Sequence, residues 1–167
     1  MHNTQKTVSD LLGRLAVKWK QNALFLDSQG YCSMQTDDGL DVLLEVKEGS
    51  DELFFVADLG TRLTEAQSIH LLHENLFPDR TRMASFCREA SHGRVFLSYH
   101  YPIDGLSEEV LGALISNFVE VSRGARQLTQ ELADGKKPEL SAHHSRKRHE
   151  AGVPHASANL LMTRRKP

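Results

Sequence analysis

The residues best equipped for chemistry in this chain lie in HLLHE, His70–Glu74. Two histidines on one helix with a carboxylate nearby are what zinc hydrolases use to hold a metal and activate water. The order is wrong for that here. Glu74 follows the second histidine, so neither HExxH nor HxxEH is met, and no further ligand cluster accompanies it. His70 and His73 are therefore expected on a polar helix face, without a metal. Cys32 and Cys87 would need a depressed thiol pKa, as at a helix N-terminus, to act as nucleophiles. Both fall inside predicted strands, where cysteine is a small core residue. Asp37, Asp38 and Asp41 cluster, but EF-hand spacing is missing, and Asp37-Asp38-Gly39 reads as a tight turn. GxSxG, GxxxxGK[ST] and GxGxxG do not occur. The chain is expected to be no enzyme, with no catalytic residue and no cofactor. A hydrolase built on His70, His73 or His100 is the least favoured alternative.

Size and charge narrow the choice further. At 167 residues, 40% of them hydrophobic, the chain suits one domain with a tail and can bury a core without metal or disulfide staples. Its longest apolar run is far short of the roughly 18 residues of a bilayer span. The start, MHNTQKTVSD, has no signal-peptide core. The expected location is the cytoplasm, with both thiols free. The net charge of −2 hides an asymmetry. Residues 134–167 hold eight Lys/Arg and three Asp/Glu, a net of +5, which leaves −7 on residues 1–133. An acidic body argues against a nucleic-acid surface on the fold.

The elements follow from periodicity. Val8, Leu11, Leu12, Leu15, Ala16 and Trp19 recur at helical spacing. Ala23–Asp27 and Tyr31–Thr36 read as a kinked strand or small hairpin about Ser28-Gln29-Gly30. Leu40, Val42, Leu44 and Val46 alternate with polar residues except at Leu43. The next strand is apolar on both sides: Leu53, Phe55, Ala57 and Leu59 against Phe54 and Val56. Thr64-Glu65-Ala66-Gln67 is a capping box, and the helix it opens runs through Ile69, Leu72 and Leu76 until Pro78. Leu71 and Phe77 fall off that stripe. Ala84–Ala90 and Arg94–Tyr101 form a hairpin across Ser91-His92-Gly93. Ser107 caps a long last helix that ends near Gly135. The expected fold is α+β, in the order α-β-β-β-α-β-β-α, a twisted antiparallel sheet covered by helices. Residues 1–133 form the domain, and residues 134–167 are expected to be a basic, flexible tail in which Leu160-Leu161-Met162 could dock locally. A strand apolar on both faces needs cover on both. One helical layer supplies half of it, so a twin subunit or a partner must supply the rest.

Three strings are similar to those of a known family. LFLDSQGYCSMQTDDGLDVLLEV, LLHENLFP and GRVFLSYHYPIDGLSEEVLGALISNFVEVSRGARQL resemble the first strands, second helix and final strand-turn-helix of class I type III secretion chaperones, the Tir-chaperone family. The resemblance spans about residues 5–133. It implies a small acidic cytoplasmic homodimer without ATPase activity that binds the N-terminal segment of a secreted effector and keeps it export-ready. It also implies the secretion ATPase or export apparatus as a further partner. Carried over by position, Leu72, Leu76, Phe77, Phe86 and Phe96 would build the dimer interface. Leu11, Leu15, Trp19, Met34, Leu43, Phe54 and Val56 would line the effector grooves. The alternative expectation is a dimeric regulatory or ligand-binding module acting through its basic tail.

Overall fold

The computed structural model describes residues 3–76 and 78–136. Phe77 and nearly all of the expected tail therefore lie outside the described residues. The first helix, α1 (Asn3–Lys18), buries Val8, Leu11, Leu12, Leu15 and Ala16, the stripe its spacing prescribes. Gln5 pins its first turn to the sheet by donating from Nε2 to the buried Val46 carbonyl at 2.9 Å. Gly30 lies against the same carbonyl. Its φ is +85°, and a Cβ there would come within 2.3 Å of Val46 O, so the approach requires glycine.

Strands β1 (Tyr31–Gln35), β2 (Asp41–Glu45) and β3 (Glu52–Arg62) form the expected meander. After helix α2 (Glu65–Glu74) and the short helix α3 (Pro78–Thr81), β4 (Ser85–Arg88) and β5 (Arg94–Pro102) return as a hairpin. All pairings are antiparallel and the order is β1-β2-β3-β5-β4, which leaves β1 and β4 at the edges. The last helix, α4 (Glu108–Ala133), is opened by Ser107, whose hydroxyl accepts from the Val110 N–H at 3.2 Å.

One face of the sheet is closed. Met34, Val42, Leu44, Phe55, Ala57 and Leu97 are buried with Leu111, Ile115 and Phe118 of α4, and the Phe55 and Phe118 rings lie 5.5 Å apart. Helix α1 packs beside α4 at Gly112, where a Cβ would stand 3.1 Å from Leu15. Arg14 and Lys18 reach Glu108 at 3.5 and 3.6 Å across that contact. The β1–β2 turn is fastened to α4 as well. Arg123 donates to Asp37 and Asp38 at 3.0 and 3.1 Å, and Arg126 donates to Asp38. These guanidinium bonds hold the Asp38 carboxyl far below the usual carboxylate range.

Three local expectations change. Ala23–Asp27 is not a strand. The Leu26 N–H is taken by the Ser9 hydroxyl of α1 at 3.2 Å, and Asp27 Oδ1 accepts from the N–H groups of Gln29 and Tyr31, closing a side-chain turn. Leu24 and Leu26 are buried even so. Helix α3 is an added element, begun by a proline in its favoured first position. The third concerns Cys87. It is exposed rather than a core residue, because β4 is an edge strand and Cys87 points away from the helices. Cys32 is buried.

Candidate functional site

The described residues contain no group of three metal-ligating side chains. His70 and His73 are exposed on α2. Cys87 has a thiol pushed up by partial burial, away from the reactive thiolate. Among the described residues the fold offers apolar surface, and two stretches of it bear on the expected site residues.

The first is the open face of the sheet. Period-2 alternation sends Phe55 and Ala57 to the core and Phe54 and Val56 outward. Register then gathers the outward residues. Leu43 of β2 stands opposite Val56, and Phe54 of β3 stands opposite His100, with ring centroids 5.9 Å apart in a T-shaped arrangement. Phe96 of β5 faces Asp58. Leu43, Phe54, Val56 and Phe96 are all half-buried, and no described element lies over them. Cations partly roof the two rings: Lys47 Nζ is 5.0 Å from the Phe54 centroid, and the Arg94 guanidinium is 5.2 Å from that of Phe96. Arg94 also donates to Asp58. Polar residues interleave with the apolar ones: Gln35 bonds Asp41 at 2.7 Å, and Glu45 and Glu52 share this face. The surface is thus greasy strips within a charged frame, bordered by edge strand β1.

The second is helix α2. Ile69, Leu72 and Leu76 expose 65%, 66% and 71% of their surface, and Met83 nearby exposes 68%. The core anchor of this helix is Leu71, the residue off the sequence stripe. The helix is held with that stripe outward by polar bonds. Its capping box is complete, the Gln67 N–H reaching Thr64 at 3.3 Å and the Thr64 N–H reaching Gln67 Oε1 at 3.0 Å. Gln67 Nε2 also donates to the Leu132 carbonyl at 2.9 Å. Asn75 pairs with edge strand β4 through both of its amide atoms: the Phe86 N–H donates to Asn75 Oδ1 at 2.8 Å, and Asn75 Nδ2 donates to the Phe86 carbonyl at 3.1 Å. Sequence reasoning gave Asn75 no role. Its position at the helix C-cap, just before the next hairpin, was the signal available.

The residues expected to line the grooves divide by this geometry. Leu43, Phe54 and Val56 come together on the open sheet face. Leu11, Leu15 and Met34 are buried in the chain's own core and offer no open surface. Trp19 is partly buried at the end of α1 against that core. Of the expected dimer residues, Leu72 is exposed on α2 and Leu76 just past its C-cap, Phe96 lies on the open sheet face, and Phe86 is buried beneath α2. Phe77 lies outside the described residues. Trp19, Phe96 and the α2 stripe therefore sit on three separate regions.

A sequence model of the Tir chaperone protein (CesT) family matches residues 10–126. The chain belongs to that family. No curated protein matches the chain. Solved structures share the fold of this CesT-family chain. A chain of the ExsC–ExsE complex is 24% identical, superimposes with a TM-score of 0.65, and covers 77% of this chain and 97% of its own length. A chain of the HopA1–SchA chaperone–effector complex is 19% identical with a TM-score of 0.65, covering 76% and 98%. The Yersinia pestis type III secretion chaperone SycH, solved with a stable fragment of YscM2, gives 19% and 0.54, covering 70% and 97%. The α+β fold expected from the element order is the fold of these chaperones. Among the described residues no helix is long and apolar enough to cross a membrane.

Proposed function

We propose that this CesT-family protein is a cytoplasmic, homodimeric type III secretion chaperone that holds the N-terminal segment of an effector extended and export-ready. The open sheet face carries the proposal. Leu43, Phe54, Val56 and Phe96 form an apolar surface on a sheet whose other face already has a complete core. Covering such side chains stabilises by roughly 1.5–3 kcal/mol each when burial is complete, and contiguous patches of this kind mark interaction sites. The adjoining β1 edge can receive an extended client as a further strand. Its main-chain hydrogen bonds place little demand on client sequence. The acids that frame the face suit a client segment with basic residues.

The exposed stripe Ile69, Leu72 and Leu76 with Met83 supports self-association. A stable dimer buries roughly 1,200–2,000 Å² in total, and a helix set on an edge hairpin can meet its twin about a two-fold axis. The protein acts by binding alone, with no cofactor. Its product, a loaded client, is handed to the secretion ATPase or export apparatus.

Co-expression with candidate effectors tests the function. A soluble complex whose protease-resistant part includes the effector's N-terminal segment is the expected result. If no candidate is retained through purification, and none gains protection, the proposal fails.

A further inference from the structure

A groove separates α4 from the α3–β4 connection, and neither apolar surface described above includes it. Its larger end is a cavity of about 310 Å³ walled by Phe86, Val121, Ala125 and Leu128, with Glu74 and Glu120 at its rim. Its smaller end, about 180 Å³, is walled by Tyr99, Leu114 and Phe118. Both ends share Thr81, Arg82 and Val121, so they are parts of one channel. Arg82 spans it, donating to Asn117 and Glu120 at 3.0 Å each. Arg82 and Met83 both hold positive φ, 48° and 72°, an unfavourable conformation for side-chain-bearing residues. The groove therefore combines apolar walls with carboxylates at its rim, the features of a slot for a short peptide segment.

We infer that the occupant is the chain's own C-terminal segment Leu160-Leu161-Met162, followed by Arg164-Arg165-Lys166. Among residues 137–167 it is the one run of three large apolar side chains, and the rest of the stretch is basic. The leucines and Met162 meet the apolar walls, and the basic residues that follow lie towards the rim, where Glu74 and Glu120 outnumber Arg82. Connectivity favours this site over the open sheet face. Leu128 in the groove wall lies only five residues before Ala133, where α4 ends, about 7.5 Å at the helical rise. The 23 residues from 137 to 159 have a root-mean-square reach of roughly 26 Å. The reach exceeds that span, so the segment can fold back to the groove. The effective concentration at the groove is then on the order of millimolar, so a segment that binds weakly as a free peptide is held in cis. The open sheet face lies on the far side of the sheet from α4.

Methyl-resolved NMR of the full chain tests this without reference to any client. The Met162 methyl is expected away from its random-coil position, with cross-relaxation to the methyls of Val121 and Leu128. Gly124→Leu is the decisive variant. Gly124 lines the groove, a Cβ there meets nothing within 4 Å, and leucine is the better helix former, so the fold is kept while the slot is filled. In Gly124→Leu the Met162 methyl returns to its random-coil position and the cross-peaks are lost. Leu160→Asp gives the same loss without altering the domain. A Met162 methyl at its random-coil position in the unmodified chain, or one indifferent to Gly124→Leu, overturns the inference. So does a different occupant: cross-peaks in the groove from a second copy's α2, or from an added effector peptide, in place of those from Met162.

Discussion

Leu72→Asp separates self-association from folding. Leu72 exposes 66% of its surface in the single chain. Complete burial of a leucine is worth roughly 1.5–3 kcal/mol, so covering two-thirds of it is worth about 1–2 kcal/mol. A two-fold dimer contains the contact twice, which makes about 2–4 kcal/mol per dimer. At about 1.4 kcal/mol per tenfold, the dissociation constant should rise roughly 30- to 700-fold, before any cost of desolvating two carboxylates. The monomer should notice little, since exposed substitutions fall within about 0.5 kcal/mol. Sedimentation velocity over a concentration series reads the association, and urea unfolding of the monomeric variant reads the fold. Leu71 provides the internal control. It is buried, and Leu71→Ala should cost about 2–5 kcal/mol of folding stability. An unchanged dimer constant in Leu72→Asp, or an unmodified protein that is monomeric at every concentration, would refute the assignment of α2 to the interface.

Phe54→Asp should weaken capture of an effector segment at least tenfold by titration calorimetry while leaving the dimer intact; equal affinity would remove the open sheet face from the client site. Asn75→Ala deletes two bonds to Phe86 and leaves two backbone groups unpaired, so it should cost about 2 kcal/mol and raise hydrogen exchange at β4; normal stability with unchanged exchange there would show that Asn75 is no brace. Asp38→Asn should cost up to about 1 kcal/mol at neutral pH, a modest figure because the ion pairs are solvent-screened. The folded carboxyl is depressed relative to the unfolded one. Its contribution is therefore complete above the unfolded pKa near about 4 and declines as pH falls from there toward the folded value. Variant and parent should converge in acid unfolding at low pH, and a difference that grows on acidification would contradict the sign.

Much of the fold was legible because it depends on neighbours in sequence. The alternation through Leu53–Leu59 separates Phe55 from Phe54 whatever the strand pairs with, since side chains in a strand alternate by geometry. The capping box announces itself for the same reason: Thr64 and Gln67 satisfy each other within one turn. Burial in α2 was not legible. Ile69, Leu72 and Leu76 have the spacing of a core stripe, yet Leu71 is the residue that docks. The choice between two apolar faces was made by bonds to distant residues, Gln67 to Leu132 and Asn75 to Phe86. The same holds for Ala23–Asp27, where Ser9 took an N–H that a strand would have needed. Among the expected client residues, Leu11, Leu15 and Met34 have the right chemistry but are claimed by the chain's own core.

By itself, the sequence determined that this protein has a strand apolar on both faces and a helix apolar on two sides, because residue type and local period decide those properties. Tertiary structure alone decided which of each pair of apolar faces is spent on the core and which is left for a partner. A chain can fill its interior only once, and which face fills it is set by contacts between residues tens of positions apart.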